Sequence, residues 1–160
     1  MSEMSSVRFV AVVVCASAAV FGGVVVWDHL EASGNAIASS DPTGIVRNFP
    51  ICAGTTRHTC VVDGDTIWLD GEKIRIADID TPEVGEPKCE SELALGRKAT
   101  ARLRELLTNQ PFELQAWDGR DKDKYGRKLR VLIRDGHSIG DQLVSEGLAR
   151  TWSGRREPWC

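Results

Sequence analysis

No two of the five cysteines stand in a C-x-x-C spacing, and His58 and His137 fit no ligand pattern around them, which argues against a structural zinc site. Fifteen glycines and six prolines, scattered along the chain, are too few for a collagen-like or low-complexity protein. No repeat with a period of about 20 to 50 residues is present, which removes solenoids. Positive charge is not in excess either. The 20 Lys and Arg against 23 Asp and Glu give a net charge of -3, so the chain is no strongly basic packaging protein, and any polyanion must be met by a local cluster. With 42% hydrophobic and 27% charged side chains, what remains is an ordinary globular composition with room for one domain.

Beyond a short tail of residues 1–8, residues 9–27 read FVAVVVCASAAVFGGVVVW without a single charge. As a helix this stretch covers ~28 Å, close to the ~30 Å hydrocarbon core of a bilayer. Ala16-Ser17-Ala18 offers a small-residue signal cleavage site, but cleavage there would leave apolar residues 19–27 at the new end. An uncleaved transmembrane anchor is therefore favoured, with secretion the outcome if the segment is cut. Arg8 precedes the span while Asp28 and Glu31 follow it, so the positive-inside rule places the C-terminal part outside the cytoplasm, in a periplasmic or extracellular setting. Residues 28–50, rich in Ser, Gly, Ala and Asn, read as a flexible tether.

An exported domain can keep disulfides. With Cys15 in the apolar span, Cys52, Cys60, Cys89 and Cys160 remain, and four cysteines allow three pairings. Cys52 with Cys60 would close a short loop ahead of the first strand and leave Cys89 to tie Cys160 back to the body.

Residues 51–160 are enough for one small core. Residues 59–62 and 66–69 are β-prone runs around the turn Asp63-Gly64-Asp65, and Asp70-Gly71 marks a hairpin into a third strand over 73–79. Thr81-Pro82-Glu83 ends it. Residues 90–108 have helical spacing, with Leu95, Ala99, Leu103, Leu106 and Leu107 on one face. Two further strands are expected over 112–117 and 127–134, and a short helix after Ser138. This order predicts a mainly β, α+β domain: an OB-fold five-stranded barrel carrying two or three packed helices.

Carboxylates and arginines concentrate in three stretches: Asp63-Gly64-Asp65-Thr66, then residues 75–83 (RIADIDTPE), then Asp123-Lys124-Tyr125-Gly126-Arg127. Singly, each is turn chemistry. Together they form the parts list for metal-assisted attack on a phosphodiester, which must gain negative charge on a group already negative. A hard cation on oxygen ligands, arginines with paired donors and a carboxylate to orient water meet that demand.

These residues resemble the staphylococcal nuclease (thermonuclease) family. VDGDTIWLDGEKIRIADIDTPE at 62–83, DKYGR at 123–127 and LVSEGLAR at 143–150 are similar to its motifs and stand in family order. The resemblance implies an OB-fold barrel and a Ca2+-dependent nuclease that hydrolyses the 5'-side P–O bond of DNA or RNA and leaves 3'-phosphates. It assigns Ca2+ to Asp65, Asp80 and the Thr81 carbonyl, the general base to Glu83, the scissile phosphate to Arg75 and Arg127, and a neighbouring phosphate or sugar to Lys124 and Tyr125. Asp63 is left to shape its turn. Where the family prototype presents a tyrosine near the substrate, this chain has Trp152, and the tail from Arg155 to Trp159 is open to phosphate contacts or to a solvated role. A monomer is expected. The alternative is a non-catalytic OB-fold module that binds single strands or a protein partner, for which loss of Glu83 or of one arginine would be the sign.

Overall fold

The computed structural model describes residues 44–55 and 57–160. The proposed anchor at 9–27 and residues 28–43 of the tether lie outside them. Among the described residues the elements run β1 (Cys60–Asp63), β2 (Thr66–Leu69), β3 (Glu72–Ile76), β4 (Ile79–Asp80), α1 (Glu90–Leu107), β5 (Glu113–Ala116), β6 (Lys128–Arg134), β7 (His137–Ser138), α2 (Ile139–Ser145) and β8 (Arg150–Thr151).

The hydrogen-bonded path is β1-β2-β3-β6-β5, with β7 paired to β6 and with β4 and β8 forming a separate two-stranded sheet. The domain is mainly β with two helices among the described residues, as expected. The expected five-stranded barrel is corrected in one respect: β1 and β5 end the path without pairing to each other, so the six-stranded sheet is not closed into a barrel. The expected strand over 73–79 also divides. Ala77 makes the last ladder bond, to the Arg130 carbonyl at 2.9 Å, and the chain then turns so that Ile79 and Asp80 face β8.

Register does the positioning. The β2–β3 hairpin sets Thr66 opposite Arg75, which brings the Asp63-Gly64-Asp65 turn beside that arginine. Parallel pairing of β3 with β6 sets Arg75 opposite Leu129, two residues from Arg127. Val61, Ile67, Ile74, Ile76 and Leu132 point into a core completed by Leu103 and Leu107 of α1 and Leu143 of α2. Each such side chain contributes about 1.5–3 kcal/mol by leaving water. The face expected for α1 is the buried one, with Leu95 at its half-buried margin, and on the outer side Arg102 forks onto Glu146 at 2.8 and 2.9 Å to join the two helices.

The tether ends earlier than composition indicates. Ile45 exchanges backbone hydrogen bonds with Phe112 at 2.7 and 3.2 Å, the Arg47 carbonyl accepts from Asn109, and Phe49 is fully buried against the Phe112 ring, 5.8 Å between centroids. Two apolar side chains in a polar run suffice to make residues 45–50 part of the fold. Cys52 lies next to Cys60 in disulfide geometry, with Cα atoms 5.0 Å apart, and Cys89 lies likewise next to Cys160 at 6.2 Å.

Candidate active site

The first part of the site is the turn between β1 and β2. Asp63 Oδ1 accepts from the Asp65 N–H at 3.2 Å, so Asp63 shapes the turn as expected. Burial, with the Asp65 charge adding to it, pushes the Asp63 carboxyl up to about 6. Gly64 is required by close approach: a Cβ there would stand 2.8 Å from that of Ala99 and 2.9 Å from that of Thr81. The turn therefore presses against both α1 and the end of β4. Asp65 accepts from the Thr66 hydroxyl at 3.0 Å and from the Thr81 N–H at 3.1 Å.

Arg75, central in the sheet, ion-pairs with Asp65 through Nη1, donates to the Ile79 carbonyl at 3.0 Å and lies 3.6 Å from Asp80 Oδ1. Asp65, Arg75, Asp80 and Thr81 are all buried. Burial raises the Asp80 carboxyl above its ordinary value, with Arg156, Trp159 and Arg75 pulling against that rise.

Among the described residues no three His, Cys, Asp or Glu side chains converge into a ready-made metal cage. The predicted set is two carboxylates with Thr81 beside them, and Asp80 Oδ1 is buried without an aligned hydrogen bond. An all-oxygen set of low protein count suits a hard cation that completes its shell with water and substrate oxygens.

Glu83 follows on the loop into α1. Its N–H donates to Glu92 Oε1 at 3.3 Å, and Glu92 Oε2 accepts from the Lys88 N–H at 2.5 Å, so one buried carboxylate in the first turn of α1 holds both ends of that loop. Gly96 is the second close approach, since a Cβ would meet the Pro82 carbonyl oxygen at 2.7 Å and that of Glu83 at 3.1 Å. On the opposite side, Asp123 accepts from the N–H groups of Tyr125 and Arg127 at 2.9 and 3.0 Å and from Arg127 Nε at 2.6 Å. Burial pushes the Asp123 carboxyl up, but these hydrogen bonds outweigh it and leave it below the ordinary value. Lys124 Nζ and the Arg127 guanidinium lie 5.0 and 5.5 Å from the ring of Tyr125, which is 71% exposed.

Arg75, Glu83, Lys124, Tyr125 and Arg127 thus line one cleft of about 540 Å3. Asp65, Asp80 and Thr81 lie behind Arg75 rather than on the cleft wall. Trp152 lines the cleft too, with the Arg75 guanidinium 6.0 Å from its ring. Sequence reasoning missed Trp117 and Arg120, which also face the cleft, and Glu92 beneath it. It left the tail undecided, yet Arg156 reaches Asp80 at 3.1 Å and ion-pairs with Glu83, while Trp159 Nε1 donates to Asp80 at 3.2 Å. The signal for the tail was the pairing of Cys160 with Cys89, which returns the chain to the loop after Glu83.

Residues 73–158, just over half of the chain, match the family model described as staphylococcal nuclease homologue. The chain is 38% identical over 93 residues to the endonuclease YncB of Bacillus subtilis (strain 168), covering 56% of this chain and 44% of that one. It is 35% identical over 94 residues to the thermonuclease of Staphylococcus hyicus, covering 56% and 54%. Against the SPbeta prophage-derived endonuclease YokF of Bacillus subtilis it is 38% identical over 93 residues, covering 56% and 31%. The chain therefore spans about a third to a half of the length of these curated relatives. With a family match running from β3 to the tail, over Arg75, Asp80, Glu83 and the DKYGR turn, this chain belongs to the staphylococcal nuclease family.

Proposed function

We propose that this chain is a Ca2+-dependent phosphodiesterase that hydrolyses DNA or RNA, cutting the 5'-side P–O bond and leaving 3'-phosphates. It works as a monomer, tethered by residues 9–27 with its catalytic domain outside the cytoplasm. The observation that carries the reading is the shared cleft, where Arg75, Glu83 and Arg127 meet in front of Asp65 and Asp80. The names of the relatives, endonuclease and thermonuclease, agree with it.

Asp65 and Asp80, with Thr81, are the groups to hold the cation. When bound, Ca2+ would polarise the phosphoryl oxygen and acidify its water. Glu83, at the cleft edge, orients the attacking water and takes its proton. Arg75 and Arg127 grip the phosphate and meet the charge it gains. Lys124 and Tyr125 hold the next phosphate or sugar, and Trp152 offers a ring to a base.

The deciding experiment incubates the oxidised full chain with single-stranded DNA and with RNA, in Ca2+ or chelator, beside Glu83→Gln. Cleavage that requires Ca2+ and falls at least about a hundredfold in the variant supports the assignment. One observation favours the second reading, a strand-binding module without catalysis: Arg156 sits on Glu83. Retained strand binding with no cleavage by folded protein would select it.

A further inference from the structure

The tail is fastened at both ends across the carboxylates. At one end β8 pairs with β4, setting Arg150 opposite Asp80. At the other, Cys160 is joined to Cys89, which caps α1. Between them Arg150 donates to the Pro158 carbonyl at 3.0 Å and stacks on Trp159 at 3.8 Å, and Trp159 holds Asp80 Oδ2. This strap carries Arg156 to Asp80 Oδ1 at 3.1 Å and to Glu83 Oε1. Its guanidinium bridges one carboxylate assigned to the cation and the one assigned to the water.

Charge explains why a cation belongs there. Asp65, Asp80 and Glu83 present three carboxylates, Arg75 answers Asp65 and part of Asp80, and Glu83 is left to Arg156. Arg156 is also built to leave. Its side chain is 45% exposed, and with Glu83 it forms the partition between the cleft and a second cavity of about 530 Å3, whose lining includes Glu86, Glu92 and Glu157. Glu92 and Glu157 there already have partners, and Glu86 is the carboxylate open to a displaced guanidinium.

We propose that Arg156 is a built-in counter-ion that competes with the divalent cation at Asp80 while pairing with Glu83, and that the Cys89–Cys160 bridge keeps it at the site. The inference rests on the cation-binding reading above and adds a regulatory layer to it. A tethered competitor acts at a local concentration set by its tether, so the bridge matters as much as the arginine. Apparent affinity for the cation is then set partly by whether that bridge is present.

Calorimetric titration of Ca2+ into the oxidised full chain tests this. Arg156→Gln is expected to tighten binding about fivefold, the upper end for one partly exposed charge pair. Arg155→Gln, which removes the same charge from a side chain paired with Glu157, is expected to change it less than about twofold. Cys160→Ser should shift affinity in the direction of Arg156→Gln, and Arg156→Lys, which cannot span both carboxylates, should fall between. Equal effects of the two arginine variants would overturn direct competition in favour of a diffuse field. Unchanged or weaker binding in Arg156→Gln would overturn the proposal while leaving the cation site standing. No Ca2+ heat in any protein, or heat that survives Asp80→Asn, would instead overturn the cation reading and this inference with it.

Discussion

Gly96 is a hydrogen atom's width from failure: a methyl group there would strike the backbone oxygens that carry Glu83. Gly96→Ala is expected to cost about 1–3 kcal/mol of stability as an overpacked contact. Because the displaced loop holds Glu83, the carboxylate we propose to orient the water, kcat should fall about tenfold with little change in KM, which steady-state kinetics on a short oligonucleotide would show. The two phosphate arginines should respond more steeply. Arg127→Lys loses the paired donors, and a drop in kcat of roughly a hundredfold or more is expected. Asp123 gives a pH signature. Its folded carboxyl lies below the ordinary 3.8, so its contribution is present above that value and is lost as pH falls through the lower folded one. Asp123→Asn should therefore lower Tm at neutral pH and converge with the parent protein in strong acid, as thermal melts from pH 7 to 2 would reveal.

At the scale of elements, the segment before β1 behaves as part of the domain. Phe49→Ala empties a fully buried site and is expected to destabilise by about 3–5 kcal/mol, measurable by urea denaturation. A true tether would tolerate the change. The helices and the β2–β3 hairpin were legible because their signals are local: the spacing of Ala99, Leu103 and Leu107, the Ser138 cap that accepts from Asp141, the Asp70-Gly71 turn. The five cleft residues were legible through motif order, and the fold gathers them. What escaped depends on distant partners. Strands β4 and β8 are two residues each and exist only through one another, Phe49 needs Phe112, and Arg156 is informative only once Cys160 has found Cys89. Barrel closure was not legible for the same reason, since no local pattern states whether two edge strands meet.

For the whole molecule, the two bridges differ in leverage. Cys52 and Cys60 are 8 residues apart and Cys89 and Cys160 are 71 apart, so loop entropy assigns about 2.5 kcal/mol to the first and about 4 to the second. Chemical denaturation of Cys52→Ser and Cys160→Ser proteins should preserve that order. The net charge of -3 leaves strand binding to a few local cations. With Arg75, Lys124 and Arg127 on phosphates, the log–log dependence of single-strand affinity on salt should have a slope of about -2, steepening toward -3 if Arg120 takes part.

The parallel pairing of β3 with β6 has a consequence for the chain's infancy. Arg75 and Glu83 belong to the first half of the domain and Lys124 and Arg127 to the second, and only that late, long-range ladder brings them to one cleft. A nascent chain that has emerged only as far as α1 holds Arg75 and Glu83 without Lys124 and Arg127. The cleft is thus completed only after β6 has been synthesised, so its two halves are never brought together in a chain that stops short of that strand.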